Sequence, residues 1–101
     1  MTEFTERVIA AIKKIPPARV CTYGGIAALA GNPSGARQVV RILNSMSRAH
    51  DLPWHRIINS RGRIAIKDAD GFALQKSLLE QESVAVSAQG DVDLSIYLWR
   101  G

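Results

Sequence analysis

Thr22-Tyr23-Gly24-Gly25-Ile26-Ala27-Ala28-Leu29-Ala30-Gly31-Asn32-Pro33-Ser34-Gly35-Ala36-Arg37 reads as a short helix, a tight turn and the start of another helix. Thr22 is an N-cap residue, and two early glycines weaken the helix it opens. Gly31-Asn32-Pro33 is a turn, with Ser34 placed to cap the second helix. That helix is expected from about Ser34 to Met46. At about 100° per residue, Arg37, Arg41, Asn44 and Arg48 fall within about 40° of one line, with Val39, Ile42, Leu43 and Met46 opposite. A short helix, a turn and a helix with one basic and one apolar stripe form the pattern of a helix-turn-helix. A surface helix whose arginines meet only water carries the same stripes.

Upstream, Thr2 can cap a first helix whose stripe is Phe4, Val8, Ile12 and Ile15, flanked by Ile9 and Ala11. Pro16-Pro17 ends it, and Ala18 to Cys21 is short and extended. Downstream, Ile57-Ile58, Asn59-Ser60-Arg61-Gly62 and Arg63-Ile64-Ala65-Ile66 read as a small hairpin. A last helix is expected over about Gly71 to Glu82, with Phe72, Leu74, Leu78 and Leu79 facing inward. The tail ends in Leu94-Ser95-Ile96-Tyr97-Leu98-Trp99, an apolar, aromatic stretch expected to pack.

At 101 residues the chain has room for one modest core, so a single domain over 1–101 is expected. Apolar residues at 47% against 22% charged give the balance of a globular protein, not a disordered one. No apolar run approaches the roughly 20 residues of a membrane helix. The start, with acids beside its first basic residue, does not read as a signal peptide. One cysteine, Cys21, excludes an internal disulfide and fits an intracellular, cytoplasmic protein. Between apolar neighbours it reads as core. His50 and His55 lie across a proline with no second ligand pair near, so no metal is expected, and no nucleotide-binding glycine loop points to a cofactor.

Charge is unevenly spread. Residues 13–67 hold Lys13, Lys14, Arg19, Arg37, Arg41, Arg48, Arg56, Arg61, Arg63 and Lys67 against the single acid Asp51, a net +9. Residues 68–101 carry −4 and residues 1–12 carry −1. A basic middle suggests a polyanionic partner, although a solvated surface can hold the same charges.

Pro53-Trp54-His55-Arg56-Ile57-Ile58 resembles the active-site motif Pro-Cys-His-Arg-Val of the O-6-alkylguanine-DNA alkyltransferases, with tryptophan in the cysteine's place. Thr22-Tyr23, Ile26-Ala27-Ala28-Leu29-Ala30-Gly31-Asn32-Pro33 and Ala36-Arg37 resemble that family's helix-turn-helix. The interval from Arg37 to Pro53 agrees, as do Ser60, Gly62, Gly71, Leu78-Leu79 and Glu82. The resemblance covers about residues 4 to 82. It implies a mainly α, winged-helix-like domain with a helix-turn-helix and a short β-hairpin beside the Trp54 loop. With Trp54 at the nucleophile position, the chain looks like the alkyltransferase-like members. These bind double-stranded DNA containing alkylated guanine without repairing it and are thought to direct it to nucleotide excision repair proteins.

The resemblance also implies roles. Arg37 matches the arginine that takes the space of the flipped nucleotide, where its planar cation can stack on the orphaned base pair. Tyr23 matches the tyrosine that contacts the adjacent phosphate. Tyr23, Trp54 and Lys67 would wall the lesion pocket, with the indole beside the purine and a cation near it. His55 and Glu82 match the pair that helps form the enzymes' thiolate. With no thiol to serve, they read with Arg56 as a hydrogen-bonded relay that holds the loop. Thr22, Ser34, Arg41 and Asn44 are candidates for phosphate or groove contacts in a minor-groove complex.

The expected function is therefore a non-enzymatic, monomeric DNA-damage sensor without metal or cofactor. Two other readings stay open on the sequence: alkyl transfer by another nucleophile, for which Cys21 is the only thiol, and a sequence-specific helix-turn-helix regulator.

Overall fold

The computed structural model describes residues 1–101. Helix α1 spans Glu3–Lys13 and starts where Thr2 Oγ1 accepts from the Thr5 amide. It buries Val8, Ile9 and Ile12. Strand β1 is the pair Cys21–Thr22. Helix α2 comes at once over Tyr23–Leu29, capped by Thr22, whose hydroxyl accepts from Gly25 N at 3.0 Å. Helix α3 spans Ala36–Met46 and buries Val39, Ile42 and Leu43. A 3₁₀ turn over Trp54–Arg56 leads into β2, Ile57–Ile58. Helix α4 spans Ala69–Gln81 and α5 spans Leu94–Tyr97. No helix is long and apolar enough to cross a membrane.

The mainly α architecture matches the expectation, and three local features differ. Ser34 does not cap α3. Its amide donates to Asn32 Oδ1, and the helix begins behind Gly35, which offers no side-chain cap. Gly35 is buried against the Phe4 ring; a Cβ there would lie 2.8 Å from Phe4 Cζ. Packing of α1 against the turn thus fixes the entry to α3.

The expected hairpin does not form. Ile57–Ile58 pairs in parallel with Cys21–Thr22, in the register Cys21 to Ile57 and Thr22 to Ile58. Both isoleucines are buried, so this strand needs cover on both faces, which a two-stranded hairpin cannot supply. Asn59 turns the chain instead: its Oδ1 accepts from the amides of Arg61 and Arg63. The expected partner strand is taken by the tail, with Ile64 N donating to Gly90 O and Val92 N to Gly62 O.

The third difference is the phase of α4. Leu74 is 51% exposed, whereas Gln75 is 2% exposed. Asp68 caps the helix from ahead of the expected start, and Phe72, Gln75 and Leu79 share the inner face at helical spacing.

The side chains form two cores divided by the β1–β2 pair. One unites α1, α2 and α3 with Cys21 and Ile57. The other gathers Val20, Ile58, Ile64, Leu79, Val84 and Val92. Neighbouring strand residues point to opposite faces, so Val20/Cys21 and Ile57/Ile58 are each split between the cores. The tail packs as its apolar character predicts: Trp99 N donates to Val20 O, and Val20 N donates to Tyr97 O. These bonds bring the end of the chain against the strand that leads into α2.

Candidate nucleic-acid interface and base pocket

Arg37, Arg41, Asn44 and Arg48 lie on the side of α3 and its extension away from the buried Val39, Ile42 and Leu43. The surface around them is not neutralised. Of the ten bases between 13 and 67, only Arg56 and Arg63 sit in ion pairs, with Glu82 and Asp91. The arginines of α3 are free to meet an external anion. Arg41 also lines a groove of about 620 Å³ between the start of α1 and α3, with Thr2, Thr5 and Asn32.

A second cavity, of about 290 Å³, opens between α2, α3 and the 3₁₀ turn. Tyr23 enters it from the first turn of α2, and Leu43, Asn44 and Ser47 from α3 and its end. Trp54 and Ile57 form another wall, with Ile66 and Gln75 completing it. The lining is mostly apolar with a few polar atoms, the composition of a small-ligand site. Tyr23 is half-buried, its hydroxyl has no hydrogen-bond partner within the protein, and burial raises its pKa. At neutral pH it therefore remains a phenol able to donate.

Trp54 is held at the head of the 3₁₀ turn by its amide, which donates to Leu52 O at 2.8 Å. Its ring meets His55 edge-on, with centroids 6.2 Å apart and planes at 86°. Behind the turn lies a charged cluster. Glu82 Oε2 is 2.8 Å from His55 Nε2 and 2.6 Å from Arg56 Nη2. Arg56 Nη1 donates to Ile15 O, and the Ala18 amide to Glu82 Oε1. The Arg56 hydrogen bonds outweigh the opposing effect of burial and, with His55, lower the Glu82 pKa from 4.5 to about 2. His55, Arg56 and Glu82 do not line the cavity; they brace the Trp54 turn against α1 and α4.

Tyr23, Trp54 and Asn44 thus meet at one cavity. Lys67 does not line it: the side chain is exposed, and its neighbour Ile66 takes the wall. Arg37 stands near the start of α3, outside the lining, and Ser34 lies exposed in the preceding turn. Thr22 acts within the fold as the cap that presents Tyr23. Leu43, Ser47, Ile57, Ile66 and Gln75 line the cavity without having been expected there, and Gln75 is the buried polar one. A signal was available, since a glutamine between Phe72 and Leu79 interrupts an apolar helical stripe.

The chain is similar in sequence and fold to several known proteins. A DNA base-flipping protein of Vibrio parahaemolyticus is 41% identical over 100 residues, covering 99% of each chain. Alkyltransferase-like protein 1 of Schizosaccharomyces pombe is 40% identical over 105 residues, covering 99% of this chain and 97% of the relative. The crystal structure of S. pombe Atl1 in complex with damaged DNA containing O6-carboxymethylguanine superposes with a TM-score of 0.85. That match has 40% identity and covers 100% of this chain and 98% of the other. The family profile of the 6-O-methylguanine DNA methyltransferase DNA-binding domain matches residues 3–84, and the chain belongs to that family.

Proposed function

We propose that the chain is a non-enzymatic DNA-damage sensor that turns O-6-alkylguanine out of the duplex into the cavity between Tyr23 and Trp54. The observation that carries this reading is the Trp54 indole in the cavity wall, beside a helix whose arginines have no carboxylate partners. In the resembled enzymes a cysteine stands at that place in the motif. An indole has no comparable nucleophile, so the alkyl group stays on the base. The one thiol offers no substitute. Cys21 is buried, lines a different groove with Trp99, and burial raises its pKa.

Duplex binding is proposed to run through α3, with Arg41 and Asn44 on phosphate or the groove and Ser34 at the turn. Arg37 enters the stack and fills the space of the extruded nucleotide. Tyr23 meets the flanking phosphate or the base. Lys67 is exposed and lies outside the cavity lining, so the wall role is carried by Tyr23 and Trp54. His55, Arg56 and Glu82 keep the Trp54 turn in place. The domain acts as a monomer over 1–101, and the bound lesion is passed to nucleotide excision repair proteins. The names of the base-flipping and alkyltransferase-like relatives support the lesion-binding part. The handover rests on the resemblance alone.

The test is a titration against duplexes with and without one O-6-methylguanine, combined with intact-mass measurement. Tighter binding to the lesion with unchanged protein mass is the expected outcome. A gain of one alkyl mass would make the chain an enzyme, and equal binding to both duplexes would remove the lesion reading.

A further inference from the structure

The tail brings Trp99 beside β1, where its amide donates to Val20 O at 2.7 Å. Trp99 and Leu29, at the end of α2, are common to the linings of two adjoining cavities of about 340 and 310 Å³. Ala10 and Ala11 of α1 line the first, and Ala28 and Leu98 line the second. Leu29 is 45% exposed, and Ala10 and Ala28 are exposed as well, whereas Ile26 and Ala27 of the same helix are fully buried. A lone surface leucine is ordinary. Here the exposed apolar surface is concave and is built by α1, α2 and the tail together, which marks a contact surface.

The charges at this groove have one sign. Arg7 and Lys14 border the first cavity and Arg100 the second, and neither lining contains an Asp or Glu. Lys14 and Arg100 make no ion pair. Arg7 meets Glu3 at 3.6 Å with both side chains largely exposed, a pair worth little in water. An apolar groove rimmed by free cations complements an amphipathic segment whose apolar face is flanked by carboxylates. We propose that this groove docks an acidic, amphipathic segment of a partner protein. Its lining shares no residue with the Tyr23–Trp54 cavity and takes none from α3, so the segment and a duplex can be held at once. The groove therefore goes beyond the lesion reading and stands without it.

The probe is a displayed library of random peptides, selected on the wild type with soluble Leu29→Glu in excess to remove binders of other surfaces. The peptides that survive should carry more Asp and Glu than Lys and Arg, with apolar residues at helical spacing. A synthetic copy, titrated by fluorescence anisotropy, should bind Leu29→Glu about tenfold or more weakly than the wild type. Lys14→Glu and Arg100→Glu should each weaken it by about threefold to tenfold, more at low salt. These two substitutions alter exposed side chains only and keep the test valid should Leu29→Glu fail to fold. Arg7 is left intact because it also borders the Arg41 groove. Peptide affinity should be unchanged when the protein is saturated with duplex. Several results overturn the proposal: no peptide that depends on this groove, selected peptides that are neutral or basic, or binding indifferent to Lys14→Glu and Arg100→Glu. A wild-type dimer that Leu29→Glu dissociates would give the groove to a second copy. Loss of duplex binding in Leu29→Glu would give it to DNA, and groove-dependent binding to phosphatidylserine vesicles would give it to a membrane; each of the three also overturns the proposal.

Discussion

Arg56 and Glu82 are joined at three points: Nε lies 2.9 Å from Oε1 and 3.2 Å from Oε2, and Nη2 lies 2.6 Å from Oε2. With the further bond from Arg56 to Ile15 O, this pair links the Trp54 turn, the end of α1 and the end of α4. His55 shares the same carboxylate. The cluster has a structural task that survives the absence of a thiol.

Its acid sensitivity stems from the carboxylate. The Glu82 pKa is lowered from 4.5 to about 2 in the folded chain. The stability this contributes is fully present above the unfolded value, near 4.5, and is lost as the pH falls through about 2. Its size is on the order of 2–3 kcal/mol. Glu82→Gln should destabilise the protein by about 3 kcal/mol, because Arg56 is left with no charge partner in a mostly buried place. It should also flatten the dependence of stability on pH between about 5 and 2. Thermal unfolding of both proteins across that range checks the two effects. Parallel pH curves for wild type and variant would mean that another carboxylate governs acid unfolding.

Arg37→Ala should weaken binding to lesion-containing duplex by about 1–3 kcal/mol and reduce the preference for the lesion. Arg37 makes no ion pair or side-chain hydrogen bond within the protein, so the folded state should be unaffected. Titrations on damaged and undamaged duplex separate its two possible duties. An equal loss on both would make Arg37 a phosphate contact instead of the group that fills the space of the flipped base.

Binding should depend strongly on salt. Lys13, Lys14, Arg19, Arg37, Arg41, Arg48, Arg61 and Lys67 all lack a carboxylate partner, yet they are spread around the domain and cannot all reach one duplex. If three to five do, log affinity should fall against log salt with a slope of about −3 to −5, at about −0.9 per neutralised phosphate. Arg41→Ala should make the slope shallower by about 1 without changing the lesion preference. Titrations from low to moderate salt measure this. A slope near zero would remove the basis for assigning the basic middle of the chain to DNA.

Trp54→Cys should bind the lesion and transfer little or no alkyl group to itself. The substitution restores the Pro-Cys-His-Arg order with Glu82 in place behind it. A thiolate must nonetheless lie in line with the alkyl carbon and its leaving oxygen, and a displacement of about 1 Å can cost 100-fold. The cavity is shaped around an indole, with Leu43, Ile57 and Ile66 on its other sides. Replacing that ring by a small thiol enlarges the space in which the base can settle. Intact mass of the variant after incubation with alkylated duplex reads the outcome. Rapid stoichiometric transfer would show that residue 54 alone separates this chain from its enzymatic relatives.

What the sequence determined by itself is the local part of the molecule. The first three helices, the Thr22 cap and the opposed faces of α3 depend on spacing within one or two helical turns, and their residues could be read in place. The Trp54 motif and the basic middle are also visible along the chain, and they point to DNA. The tertiary structure decided whatever required residues far apart to meet. Ile57–Ile58 had an adjacent candidate partner in 63–66, but two buried faces and the competing tail gave the pairing to Cys21–Thr22. Lys67 and Ile66 exchanged places at the cavity because a single residue along an irregular segment can turn a side chain from wall to solvent. Gln75 broke an apolar pattern, and its use came from two carbonyls 18 and 20 residues away. Periodicity reports which face of a helix is inward; only packing determines which polar group that face can satisfy.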